Sequence, residues 1–501
     1  AGRILRTNVH SKLQHFTAAA VLQQALAGIP STALACSTCA ACASGLSSIG
    51  LGLTLLREGS CDLVIAGGYD PISEYVCAGF NSLRLVANGP PRPFSRSRSG
   101  MNLGEGAAIV VLERADDANH RGAQPLVIVE GFGESSDAHH LTQPEPTGEG
   151  ASRAIEAALR DAAIDGAKID FISAHATAPP HNDAAEFAAY ERVFGARLEK
   201  INVVAFKSHL GHTLGGAGTV ELVLSLCAMR DQIVPPTTTV EQGECEFGNL
   251  NLTIEVSRQV EIDRSMNMSM GFGGANACVV LKRHKSVDLG RQALRRSSKS
   301  ACDVLITGVG VLLPGAVGND AFVRSLTSGA RPDLKAALDE SEYTHLFNAR
   351  RARRMSDYVK YTLAATSLAL RDAGIDDEAA FGQQCGAIIG STHGAAGYSE
   401  TYYRQVVNEG IASANPLLFA EGVPNVGSAQ LSLMLGLKGG AQAIIGSRTA
   451  GLEALHLATR RIATGEAHRL IVTAAEERTD LLETAYQRCE KPDLTLGMGA
   501  V

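Results

Sequence analysis

The stretch CASGLSSIGLGLTLLREGSCDLVIAGGYD, Cys42–Asp70, lies without a gap on RTAGLEALHLATRRIATGEAHRLIVTAAE, Arg448–Glu476. Cys42 falls on Arg448 and Asp70 on Glu476, a constant offset of 406 residues. Solenoid repeats recur every ~20–50 residues, so an offset this long means two copies of one large domain. The second copy opens at Asp303 with DVLITGVGVLLPG, after the polar and basic HKSVDLGRQALRRSSKSA, which reads as a linker. We therefore expect a first copy over 1–283, a linker over 284–302 and a second copy over 303–501. Arg448 has 145 residues of its copy before it and Cys42 only 41, so the first copy is expected to lack about a hundred N-terminal residues. The second closes on LTLGMGAV, which matches MNLGEGAA (Met101–Ala108) and sets Met498 on Glu105. Both copies thus read as incomplete, at opposite ends, whether the chain is a fragment or a trimmed product. A circular permutation of one domain is excluded, because the Cys42 region occurs twice.

Within the first copy, DLVIAGG, AAIVVLER, PLVIVEGFG, IDFISAHA, INVVAFKS and NACVVLKR read as strands, and GASRAIEAALRDAAI and GAGTVELVLSLCAMR as helices. That order predicts an α/β domain whose mixed or mostly parallel sheets are covered by helices on their faces. Bulk properties remove several function classes. A net charge of −7 argues against nucleic acid as a general partner. The Arg92/Arg96/Arg98, Arg291/Arg295/Arg296 and Arg350/Arg351/Arg353/Arg354 clusters read as solvated faces and a linker. No uninterrupted apolar run approaches the ~18 residues of a membrane span, and AGRILRTNVHSKLQHF has no signal-peptide core. Eleven scattered cysteines, an odd number, fit a reducing cytoplasm better than a disulfide framework.

Three of those cysteines stand in CSTCAACASGL, at 36, 39 and 42. The spacing matches an iron–sulfur loop, but such a loop needs a fourth thiolate in a turn-forming segment, and the next cysteine is Cys61 with no proline after it. Upstream, STALACST suits a buried strand; downstream, ASGLSSIGLGLTLLREG has helical spacing and a Glu-Gly stop. Cys42 is thus expected where a strand turns into a helix, with unpaired N–H groups and the helix dipole favouring its thiolate. Cys36 and Cys39 are expected as small buried residues on the strand side. Three further stretches end a strand with a polar residue at its tip: Ile172–Asp183, Ala205–Gly218 and Met270–Asn276. A lone histidine is more often structural than catalytic, but His175 and His212 after strand ends, a cysteine at a strand–helix elbow and the Gly-rich GFGG turn together point to a catalytic site.

The motifs ACASG, AGGYD, RPFSRSRSGMNLGEGA, SSDAHHLT, HATAPPHND, KSHLGH and GFGGAN occur in this order. In them the first copy resembles a β-ketoacyl-acyl carrier protein synthase of the elongating, Cys-His-His type, also found as the ketosynthase of polyketide synthases. The resemblance implies a thiolase-like, layered αβαβα fold, here as two truncated ketosynthase-type copies in tandem, with no metal or other cofactor. It implies Cys42 as nucleophile and His175 and His212 as hydrogen-bond donors to the malonyl enolate. Backbone N–H groups of Cys42 and Phe272 would then form the oxyanion hole, with Phe272 as gatekeeper and Thr177 in support. Lys207 and Glu221 match family positions, as a pair that orients the histidine loop or one that serves stability alone. His139 and His140 read as loop supports. Ser95, Ser97 and Ser99 stand where aspartates are common, Ala275 where a threonine is, and Met270 where a phenylalanine is, which bears on acyl-chain specificity.

The second copy resembles a chain-length factor, with Arg448 at the degenerate nucleophile position. A buried cation at a helix N-terminus is unfavourable, so Arg448 is expected to reach a carboxylate such as Glu476 or Glu477, or to point to solvent. The implied function is decarboxylative condensation of an acyl chain with malonyl units on acyl carrier protein, in fatty acid or polyketide synthesis, in the cytoplasm. The implied partners are acyl- and malonyl-loaded acyl carrier protein and pairing between ketosynthase-type copies. The competing readings are an inactive scaffold for carrier protein and a coenzyme A-dependent thiolase, which His212 disfavours.

Overall fold

The computed structural model describes residues 24–27, 35–284, 302–329, 336, 338–488 and 499–500. Apart from His284 and Cys302 at its ends, the expected linker lies outside the described residues, as does Met498. The described residues form two compact units. One takes 40–284 with Lys438–Gly440, and the other takes 302–437 and 441–500 with the residues before Ala40.

The chain leaves strand β1 (Ser37–Cys39) and enters helix α1 (Ser44–Glu58), which Gly59 ends with a left-handed φ of 76°. There follow β2 (Leu63–Asp70), α2 (Glu74–Ser82), β3 (Gly106–Glu113), β4 (Val127–Ser136), α3 (Glu149–Asp161), β5 (Phe171–Ser173) and α4 (Pro180–Phe194). The unit continues with β6 (Asn202–Val204), α5 (Lys207–Leu210), α6 (Ala217–Asp231), β7 (Arg264–Gly271) and β8 (Ala275–Arg283). The main sheet runs β4–β8–β7–β5–β6, antiparallel around β8 and parallel across β7, β5 and β6. It is therefore mixed. Alternation along β8 explains its burial on both faces. Cys278 and Val280 enter a core with Ala154, Ile155 and Ala158 of α3 and Tyr190 of α4. Ala277, Val279 and Leu281 enter a second core with Leu46 and Ile49 of α1 and Leu222 of α6. Val64, Ala66, Val110 and Leu112 of the antiparallel β2–β3 ribbon close that second core from the far side. This unit is thus layered helix, sheet, helix, ribbon.

The other unit holds β9 (Leu312–Leu313), β10 (Ala316–Val317), α7 (Asp357–Asp372), β11 (Cys385–Ser391), α8 (Val426–Leu435), β12 (Ala441–Ile445) and α9 (Ala450–Ala463). It closes with β13 (Arg469–Glu476), α10 (Asp480–Arg488) and β14 (Gly499–Ala500). Its seven-stranded sheet runs β1–β12–β11–β13–β14–β9–β10. The repeat is visible residue for residue: β2 and β13, and α2 and α10, have both ends 406 residues apart, and α1 and α9 start 406 apart. β1 and β12, likewise related, pair antiparallel as Ser37 with Ile445, Thr38 with Ile444 and Cys39 with Ala443. Exchanging equivalent residues returns the same pairing, the signature of a local two-fold axis.

Two expected strands are shorter than their apolar runs. The Ala174 N–H still donates to the Val204 carbonyl, but beyond it the Glu186 carboxylate accepts the N–H groups of His175 at 2.6 Å and Ala176 at 2.7 Å, so β5 goes no further than Ser173. β6 stops at Val204 because the chain turns into α5 at Lys207. Cys36 and Cys39, expected as buried, are half-buried. Arg98, read as part of a solvated face, is half-buried, with its guanidinium on Glu246 and 5.3 Å from the Phe247 ring centroid. Among the described residues no helix is long and apolar enough to cross a membrane.

Candidate active site

Because β5, β6 and β7 run parallel, the segments that follow them leave the same edge of the sheet, where α/β proteins place ligands. His175 follows β5, Lys207 and His212 follow β6, and Phe272 follows β7. Cys42 reaches that edge from α1. Gly271 lies so close to the elbow that a Cβ there would stand 2.5 Å from the Ala40 carbonyl oxygen and 3.1 Å from the Cys42 nitrogen. Only glycine admits this approach, and it brings the Phe272 backbone alongside that of Cys42.

The elbow is held under strain. Ala41 adopts a left-handed φ of 49°, unfavourable for a residue with a Cβ. The Ser44 hydroxyl braces it, accepting from the Ala40 N–H at 2.9 Å and donating to the Ala41 carbonyl at 2.6 Å. Cys42 sits just before the N-cap Ala43 and is only 7% exposed. A Cβ on Gly45 would meet the Thr219 hydroxyl at 2.7 Å, so the first turns of α1 and α6 touch behind the cysteine.

His175 and His212 are buried and meet edge to face, with ring centroids 5.3 Å apart. Burial holds His175 well below its usual 6.5, helped by the Lys207 ammonium and by His212. His212 is lowered in the same way by burial and Lys207. Both rings are therefore neutral near pH 7. Each buried Nδ1 has no hydrogen-bond partner among the described residues. The Lys207 ammonium donates to Glu221 at 2.5 Å, both side chains being almost wholly buried. Burial pushes Glu221 above the usual carboxylate range while Lys207 pulls the other way.

The backbone around the histidines is tied down on all sides. The His212 N–H donates to the Asn102 carbonyl at 2.7 Å, and the Gly104 N–H to the His212 carbonyl at 2.9 Å. Asp70, at the end of β2, accepts from the Gly215 N–H at 2.9 Å. On the other side Glu186 also accepts from the Tyr190 hydroxyl at 2.6 Å, and Asp183 accepts from the N–H groups of Phe94 and Ala178. Burial pushes Asp183 up to about 6 and Glu186 up to about 7. Sequence reading missed these two carboxylates. Their signal was an acid three residues after another on the apolar face of α4, just beyond the HND turn.

Thr177 is buried in the turn after His175, and the half-buried Phe272 ring packs 5.4 Å from Phe80 of α2. His139 and His140 are exposed, and His140 Nδ1 accepts from the Thr142 and Gln143 N–H groups, a loop-bracing arrangement. Ser95 and Ser97 hydrogen-bond each other at 3.0 Å, while Met270 and Ala275 are buried. In the other unit Arg448 lies between β12 and α9 and is exposed, its guanidinium 5.8 Å from the Tyr486 ring centroid. Of its two expected environments it takes solvent rather than a carboxylate. Glu476 instead accepts from Thr392 and Ser391, and Glu477 from the Tyr358 and Gly397 N–H groups.

The family model for the N-terminal domain of beta-ketoacyl synthases matches residues 12–118 and 334–486, more than half of the chain, and that for the C-terminal domain matches 126–241. The chain is 39% identical over 252 residues to the 3-oxoacyl-[acyl-carrier-protein] synthase 2 of Rhizobium meliloti, covering 49% of this chain and 59% of that protein. It is 38% identical over 252 residues to the Vibrio cholerae protein of the same name, covering 48% and 61%. The chain thus spans about three fifths of these curated relatives. Among solved structures, the PfaC keto synthase–chain length factor superposes with a TM-score of 0.69 over 88% of this chain and 53% of its own, at 20% identity, a likeness of fold. A type II polyketide ketosynthase, solved with its acyl carrier protein and a bound hexaketide, superposes with a TM-score of 0.52 at 25% identity, covering 55% of this chain and 69% of that one. By its matched family models and its layered fold, this chain belongs to the β-ketoacyl synthase family.

Proposed function

We propose that the unit carrying Cys42 extends an acyl chain on acyl carrier protein by decarboxylative condensation with malonyl-carrier protein. The Cys42 thiolate attacks the carrier thioester, and the carrier thiol leaves with a proton, giving an acyl-Cys42 thioester. The N–H groups of Cys42 and Phe272 stabilise the tetrahedral oxyanion of that step. Malonyl-carrier protein then loses carbon dioxide, and the electron pair of the broken C–C bond moves into an enolate. The enolate carbon attacks the Cys42 thioester, a C–C bond forms, and the Cys42 thiolate departs from a β-ketoacyl-carrier product. His175 and His212, as neutral imidazoles, donate N–H groups to the enolate oxygen, and Lys207 with Glu221 orients their loop.

The observation that carries this reading is the pair of buried, neutral imidazoles brought together at the sheet edge. Neutral donors without a competing carboxylate suit an anion that exists only during reaction. Thr177 supports the His175 turn. The segment 303–501, with Arg448 where a nucleophile would stand, is read as a chain-length-factor-like copy, joined through 284–302 to the ketosynthase copy over 1–283. The two-fold pairing of β1 with β12 supports association between copies of this type. The ten described cysteines are free thiols, in keeping with a cytoplasmic setting.

The test is malonyl-carrier protein decarboxylation by His175→Ala and His212→Ala proteins, with acylation of Cys42 measured in parallel. Each variant is expected to lose about 10²–10³-fold in decarboxylation, the usual cost of one oxyanion donor, and much less in acylation. Unchanged malonyl turnover in either variant would remove that histidine from the mechanism.

A further inference from the structure

The seam between β1 and β12 is two-fold in its backbone but not in its side chains. Its axis passes between Thr38 and Ile444, which stand opposite each other and are themselves related by the 406-residue offset. The same offset relates Cys36 to Gln442 and Leu55 to Arg461. The first copy's strand thus brings a hydroxyl to the axis and a thiol beside it. The second copy's strand brings an aliphatic side chain to the axis and an amide beside it.

That amide is committed on both sides. Gln442 and Arg461 of α9 are buried, 1% and 4% exposed. A guanidinium carries donors only, so the Gln442 carbonyl oxygen has to face it, and it accepts from both terminal nitrogens of Arg461 at 3.2 Å. The amide NH2 is then turned across the seam, where it donates to the Thr38 hydroxyl at 2.9 Å. Thr38 lies diagonally across from Gln442, on the same face of the antiparallel pair and within side-chain reach. A buried donor left without an acceptor is costly, so the second copy's strand requires a neighbour with an acceptor at the axis. A strand of its own kind has none. Pairing about the same axis, it would put Ile444 where Thr38 stands, and the two-fold would leave both amides unsatisfied. The first copy imposes no such requirement, since Cys36 and Leu55 stand at the positions of Gln442 and Arg461.

We propose that β12 selects its partner through Gln442 and Arg461: it admits a strand with a hydroxyl at the axis, as β1 has, and rejects another strand of the Arg448 type. Discrimination by penalising the wrong partner suits two strands that share one backbone geometry. In the sheet order β1 flanks β12 and β11 lies on its other side, so without β1 the strand would be an edge able to join its own kind. The buried amide and guanidinium make that join unfavourable. The proposal deepens the pairing of copies read above and rests on that reading, but not on the chemistry of Cys42.

The test is backbone hydrogen exchange of the β12 segment in the full 501-residue chain, read by mass spectrometry, since β1 covers the N–H groups that β12 turns away from β11. Thr38→Val keeps the shape without the hydroxyl, and Thr38→Ile brings to the axis what a strand of the Arg448 type would bring. Each is expected to speed exchange of that segment about tenfold or more, the cost of a buried donor left unpaired, while Thr38→Ser keeps the wild-type rate. Thr38→Val/Gln442→Leu/Arg461→Leu, apolar throughout the seam, is expected to return to that rate. Wild-type exchange in Thr38→Val and Thr38→Ile overturns the proposal, because valine and isoleucine are strand formers at least as good as threonine and their propensity alone predicts no loss. So does fast exchange that persists in the triple variant. No carrier protein or acyl transfer enters the measurement, so its outcome is separate from that of the malonyl assay.

Discussion

At the scale of single residues the site depends on two histidines being neutral. Their folded-state values lie well below 6.5, so each takes up a proton on unfolding at mildly acid pH but not while folded. Unfolding then gains protons, and by linkage their contribution to stability is present above 6.5 and declines as pH falls below it. Histidine Cε1 resonances followed from pH 8 to pH 6 should leave the His175 and His212 signals unmoved. A midpoint at 6.5 or above for either buried ring would contradict the assignment. Arg448 makes the opposite point. A guanidinium stays protonated and cannot carry an acyl group, and its exposure on Tyr486 shows how the fold tolerates a cation at that elbow. Arg448→Cys should therefore create no second acylation site, since position 448 is exposed, whereas Cys42 is buried just before a helix N-terminus. Acyl transfer to the new thiol, read by peptide mass spectrometry, would refute this.

At the scale of elements, Lys207 on α5 and Glu221 on α6 clamp the histidine loop from within. Breaking a buried pair leaves one charge uncompensated and costs about 3–5 kcal/mol, whereas replacing both members by apolar residues is near neutral. Lys207→Met should accordingly lower unfolding stability by that amount in urea titration, and Lys207→Met/Glu221→Leu should recover most of it. A loss below ~1 kcal/mol for the single change would show the pair to be incidental. Elements were also the scale most legible in the sequence. The long periodic segments, such as GAGTVELVLSLCAMR and NACVVLKR, became α6 and β8 because pattern and burial agree there. IDFISAHA overran, since its apolar continuation is bound by Glu186, a partner no local pattern displays. Motif order singled out Cys42, His175 and His212, and the fold carries all three to one sheet edge. Asp183, Glu186 and the Gly271 approach to the elbow were not singled out, because their roles are backbone contacts made across the fold.

At the scale of the whole molecule, a constant offset of 406 residues in sequence becomes two sets of equivalent elements that differ in what surrounds them. The copy with Cys42 holds three parallel strand ends, with His175 and His212 following two of them; the copy with Arg448 has an exposed guanidinium at the equivalent elbow. The central claim is that one thiol in the chain, Cys42, accepts an acyl group for condensation. It is tested most directly by incubating the full chain with an acyl-carrier protein thioester and locating the acyl group by peptide mass spectrometry. The account predicts the acyl group on Cys42 alone and none on Cys42→Ala protein; acylation of Cys36 or Cys39, or of the Cys42→Ala chain, would contradict it.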